Sequence, residues 1–154
     1  MIQRIQTLYL LAASALLAVT VFTPIVVFAA NGSEWTLSAF SFADASGEYV
    51  QSALWQGITI VLSAILPLII VFLFKHRTLQ IRLCGVELVL LLGDMAFMAI
   101  YYMLSARVVE NYELAASSLR IGAVMPLVAI VLVAMAMRAI FRDELLVRSL
   151  DRIR

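Results

Sequence analysis

Residues 83–104 read LCGVELVLLLGDMAFMAIYYML. Apolar side chains go all the way round this stretch, where the surface helix of a water-soluble domain would carry a single apolar stripe. The run is long enough to cross the hydrocarbon core of a bilayer, which takes about 20 helical residues. It also encloses two acids, Glu87 and Asp94. An acid inside a membrane span costs at least a few kcal/mol, so it normally faces protein or water and marks a candidate functional position.

Three further runs of the same kind lie on either side, at residues 8–30, 55–74 and 121–141. The first is broken only by Ser14, Thr20, Thr23 and Pro24, and Arg4 gives it the positive flank of a secretory signal. A signal core is only about 7 to 15 residues long, and Phe28 and Ala30 make a poor cleavage pair, so a span is expected. The second run contains Pro67, which should kink the helix by removing a backbone donor, and the fourth contains Pro126 near its start.

Composition agrees with this reading. The 154 residues are 64% hydrophobic and 14% charged, against about 45 to 50% and about 25% in soluble domains. Four spans of about 20 residues leave only short connections, so a single membrane domain covering residues 1–154 is expected, all-α and arranged as an up-down-up-down bundle. The net charge of +1, with 11 basic and 10 acidic residues, gives no basic field for nucleic acid. The single cysteine, Cys84, excludes an intramolecular disulfide and any multi-cysteine metal site. No phosphate-binding glycine loop, HExxH motif or carboxylate cluster is present. A catalytic residue, a cofactor and a metal are accordingly not expected.

The distribution of Lys and Arg sets the expected orientation, because basic residues near span ends stay cytoplasmic. Arg4, then Lys75, Arg77 and Arg82, then Arg138, Arg142, Arg148, Arg152 and Arg154 fall on one side, against Arg107 and Arg120 on the other. Both termini are therefore expected in the cytoplasm. Trp35, Trp55, Tyr49, Tyr101, Tyr102 and Tyr112 then gather at the outer boundary, which suits amphipathic rings. In the connection at residues 31–54, Trp35-Thr36-Leu37-Ser38 alternates apolar and polar, and Asp44-Ala45-Ser46-Gly47 signals a turn. A small cap lying on the bilayer is expected there.

Glu87 and Asp94 lie seven residues apart, about 10 Å along one face of the third helix, and Tyr101 continues the stripe. Arg138 in the fourth run should lie at a depth similar to that of Glu87 and is expected to neutralise it. Asp94 has no basic residue at its depth, so it should carry a proton or bind hydroxyls such as Ser63 or Ser14. The alternative for both acids is purely structural hydrogen bonding. His76, in the basic turn between the second and third runs, reads as a solvated charge or lipid contact, and Cys84 reads as packing.

Residues 142–154 place Leu145, Leu146, Leu150 and Ile153 at helical spacing among arginines, with Glu144 and Arg148 four apart. This is the pattern of an interfacial helix, either docking a partner or anionic lipid or simply continuing the fourth helix. Arg4, Lys75, Arg77, Arg142, Arg148 and Arg152 are the candidate docking or lipid-contact residues. The amphipathic start, residues 1–6, emerges on the same side and is expected to pack with the tail.

The opening MIQRIQTLYL and the closing Arg138-Ala139-Ile140, Arg142-Asp143-Glu144, Val147-Arg148-Ser149 and Asp151-Arg152 resemble a family of small four-span proteins from Bacteroidota, domain of unknown function 4293. The resemblance implies a multi-pass protein of a Gram-negative inner membrane and brings no activity or catalytic residue. Size and the lack of room for a soluble domain point to a non-enzymatic accessory or scaffold subunit, bound to lipids and to other membrane subunits or itself. A small oligomeric transporter or proton-linked carrier that uses Asp94 is the alternative.

Overall fold

Among the described residues the chain forms four helices long and apolar enough to cross a membrane, together with a five-stranded antiparallel sheet. The structure, a computed structural model, describes residues 2–30, 32–74, 76–110 and 114–151. In order these form α1 (Ile2–Phe22), β1 (Val26–Ala30), β2 (Ser33–Leu37), β3 (Ser41–Ala43), β4 (Tyr49–Ser52), α2 (Leu54–Phe72), α3 (Arg77–Glu110), β5 (Leu114–Leu119) and α4 (Ile121–Asp151). Each helix packs on the next, and α1 also packs on α4, which closes a four-membered ring. The tight connection between α2 and α3 lies at one end of the ring. The sheet lies at the other, where α1 and α3 finish and α2 and α4 begin.

The sheet corrects the all-α expectation, and it shortens the first span. Residues 26–30 were expected to complete that span but form an interior strand of the sheet instead. Pro24 lacks an N–H and disfavours helical geometry in the residue before it, so α1 stops at Phe22. Ile25, Val26 and Val27 then bring β-branched side chains that suit a pleated surface. Ala30 pairs with Ser33 across Gly32, whose φ of 71° lies in the left-handed region that glycine adopts without a Cβ penalty.

Strand order is β4-β3-β2-β1-β5, with β1 paired on both sides. Phe28, Leu37 and Phe42 are fully buried beneath the sheet. Phe28 stacks on Tyr102 of α3 at a centroid distance of 5.5 Å and meets Phe42 edge-on at 5.9 Å, which fastens the sheet to the bundle. The Tyr102 hydroxyl and Ser117 of β5 lie 3.1 Å apart, in hydrogen-bond contact. At the start of α2, Gly57 lies directly under the Phe40 ring, so that any Cβ there would overlap it. The connection expected as a small cap is thus three strands of this sheet, β2 to β4, while the end of the expected first span supplies β1 and the polar stretch before α4 supplies β5.

The tail is no separate element, because α4 runs unbroken from the last apolar run to Asp151. The expected packing of the amphipathic start against it is present: Gln6 Nε2 donates to Asp143 Oδ2 at 2.6 Å.

Candidate functional site

Between α2 and α3 the bundle encloses polar side chains at a repeat of seven. On α3 the buried face carries Gln80, Glu87 and Asp94, alternating with Cys84, Leu91 and Met98, and then Ser105. On α2 it carries Gln56, Ser63 and Ile70. A repeat of seven keeps a side chain on one seam of two packed helices, so the polar residues form a row through the interior. The helix surfaces are the reverse. Val86, Val89, Leu92 and Met103 of α3 and Val124, Val128, Val131 and Met135 of α4 are all exposed.

Asp94 is the best-held member of the row. Ser63 Oγ lies 2.5 Å from Asp94 Oδ2 and 3.0 Å from the Thr59 carbonyl oxygen. A hydroxyl has one proton, so Ser63 cannot donate to both. A neutral Asp94 that donates to Ser63 Oγ, while Ser63 donates to Thr59, gives each contact a proton. Pro67 acts in the same place, since its missing N–H leaves the Ser63 carbonyl without its usual helical partner. The other Asp94 oxygen, Oδ1, is buried with no hydrogen-bond partner among the described residues. Ser14, the other expected partner, donates instead to the Ala64 carbonyl at 2.6 Å.

Glu87 is fully buried, and neither carboxyl oxygen has a hydrogen-bond partner among the described residues. The expected neutralisation by Arg138 does not occur. Ala136 and Ile140 are the α4 residues turned into the core, and Arg138, midway between them, is rotated outward and exposed. Gln56 and Ser105, near the sheet end, also bury polar atoms without partners among the described residues. Tyr101 lies half-buried against the cluster beneath the sheet.

The candidate basic contacts divide. Arg77 reaches the Asp143 carbonyl with Nη1 at 3.4 Å, and Arg142 is exposed one turn beyond Arg138. His76 is exposed at the α2–α3 turn, and Cys84 is buried as packing within the core. Lys75, Tyr112 and Arg152 lie outside the described residues, as do the side chains of Arg4 and Arg148. Among the described residues, no three His, Cys, Asp or Glu side chains come together as a metal site. Two polar pairs were not singled out residue by residue, the Gln6–Asp143 bond within the expected packing of the two ends and the donation from Gln80 Nε2 to the Ile70 carbonyl at 2.8 Å, which adds to the Leu73 amide that this carbonyl already accepts. The spacing of Gln80 to Glu87 was the available signal for the second.

A family model described as a domain of unknown function, DUF4293, matches residues 2–153. The chain belongs to that family. Neither a curated protein nor a solved structure matches it. As a DUF4293 protein it inherits no assigned chemistry, so the buried row and the surfaces at the two ends have to be read on their own geometry.

Proposed function

We propose that this chain is an integral inner-membrane protein that crosses the bilayer four times with both termini in the cytoplasm. In this reading it serves as a non-enzymatic accessory or scaffold subunit of a membrane complex. Apolar surfaces around the helices and polar side chains inside the bundle support insertion. Orientation is supported by Arg77, Arg82, Arg138 and Arg142, which share the end opposite the sheet.

The subunit reading is carried by one observation. Strand β4 is an edge of the sheet, with a strand partner on one side only. Beside that edge, Tyr49, Val50, Leu54 and Trp55 are exposed. An open edge with apolar side chains is a template for pairing with another chain, by strand addition to a partner or to a second copy. Mild-detergent purification of the tagged protein from its native membrane, followed by mass determination of the intact particle, tests this. A stoichiometric partner or a defined oligomer is expected, weakened by Val50→Pro, whereas a bare monomer would overturn the reading.

The unpartnered oxygens of Glu87 and Asp94 favour a second reading, a proton-linked carrier that uses Asp94. Proton uptake into proteoliposomes should then be lost in Asp94→Asn while assembly persists. Wild-type vesicles with no uptake would remove this reading.

A further inference from the structure

At the end away from the sheet, a groove of about 630 Å³ opens between α1 and α4. Ile5 and Tyr9 of α1 form one wall, Met135 and Ala139 of α4 the other, and Arg138 and Arg142 stand at the rim. The two arginines are four residues apart, so they share a helix face about 6 Å apart along the axis. Both are exposed, and neither has a hydrogen-bond or ion-pair partner among the described residues. The one acid on the groove, Asp143, is 8% exposed, and its carboxylate is engaged by Gln6 at 2.6 Å.

Depth gives the groove its character. Residues 121–137 contain no charged side chain and rise about 25 Å as helix, close to the thickness of the hydrocarbon core. Arg138 therefore stands where hydrocarbon meets headgroups, with Arg142 one turn further out. Below the rim the groove is apolar, and it leads from Met135 onto the exposed Val131 and Val128. A cationic mouth at headgroup level above an apolar trough at acyl level matches a single amphiphile of opposite charge.

We infer that the α1–α4 groove is a binding site for an anionic phospholipid, with its phosphate on Arg138 and Arg142 and an acyl chain along Tyr9 and Met135. A guanidinium presents a planar fork of donors to a phosphodiester, and two on one helix face hold it from adjacent turns. The Tyr9 phenol lies beside them as a donor at the level of the glycerol esters. The site explains why two unpaired arginines interrupt an otherwise apolar helix face while Glu87, in the core, goes without either of them. It rests on the membrane insertion and orientation proposed above.

The full chain in detergent, titrated with phosphatidylglycerol or phosphatidylcholine and followed by mass measurement of the intact complex, tests this. One phosphatidylglycerol should bind with a preference of about tenfold or more, the scale set by two basic groups. Arg138→Gln with Arg142→Gln should abolish the preference. Ala139→Trp, which fills the groove and keeps both charges, should abolish it too, whereas Arg82→Gln, at the same end but outside the groove, should retain it. An absent preference in the wild type, an unchanged double variant, or an equal loss in Arg82→Gln would overturn the site. Carbonate washing of native membranes separates this failure from that of the underlying reading, since a chain that washes off was never an integral membrane protein.

Discussion

The bundle and the sheet are built to opposite rules. In the sheet, Phe28, Leu37 and Phe42 are buried, while Glu34, Glu48 and Ser52 face outward, the order that burial of apolar surface from water produces. In the bundle, Gln56, Ser63, Glu87 and Asp94 are buried and Val89, Leu92, Val124 and Val131 are exposed. Lipid tails are as apolar as leucine, so helices in a membrane gain little by hiding leucine and more by packing and by pairing polar groups. Under the proposed membrane insertion, the contrast teaches that one chain is built for two solvents, with the change of rule falling at Phe22 and Leu54.

The largest expected effect strikes the sheet alone. Phe28→Ala removes a ring that touches both Phe42 and Tyr102 and should cost about 3–5 kcal/mol, as large-to-small core substitutions do. Limited proteolysis in detergent should then cut between β1 and β4 while helical circular dichroism is kept. Loss of the helical signal as well would mean that the two regions fold as one unit, and the contrast would fail.

Within the bundle, the two acids should respond with opposite signs. Ser63→Ala removes the partner of Asp94 Oδ2 and should lower stability by about 1–3 kcal/mol, the cost of orphaning a buried polar group. Glu87→Leu removes two oxygens that have no partner and should leave stability unchanged or raise it by about 1–3 kcal/mol. Thermal unfolding in one detergent reads both. A destabilising Glu87→Leu would show that Glu87 has a partner that appears only in the assembled protein.

The same contrast explains what was legible in the sequence. Spans of apolar residues without a stripe announce themselves: the second run matches α2 within two residues at each end, and the third and fourth lie inside α3 and α4, which continue beyond them. The first run misled because Val26–Ala30 is as apolar as any span, and hydropathy cannot tell a buried central strand from a helix. Local chemistry could have separated them. Pro24 ends the helix, and Asn31-Gly32 between two short β-prone segments is a strong hairpin signal. The seven-residue spacing of Glu87 and Asp94 was readable, and so was Ser63 as a partner. The rotation of Arg138 out of the core was not, because hydropathy fixes depth along a helix and leaves its azimuth to packing.

The smallest effect belongs to the turn between β3 and β4, where Asp44 acts on the water-facing side of the contrast. Asp44 Oδ1 accepts from the Ser46 hydroxyl at 2.7 Å, the Ser46 amide at 2.9 Å and the Glu48 amide at 2.8 Å. The Ser46 hydroxyl, with these amides, holds the carboxyl below its ordinary value of 3.8. A carboxyl lowered on folding contributes stability that is present above its unfolded value and is lost as pH falls through the folded value. The turn should therefore loosen only below 3.8, and because Asp44 is solvated the effect on global stability should be negligible. The Ser46 and Glu48 amide resonances should titrate with a midpoint below the ordinary carboxylate value and become flat in Asp44→Asn, which keeps an acceptor oxygen but has no proton to gain. A midpoint at or above that value would mean that the turn is not formed ahead of any partner, and the β3–β4 hairpin would then lose its claim to present a ready-made edge.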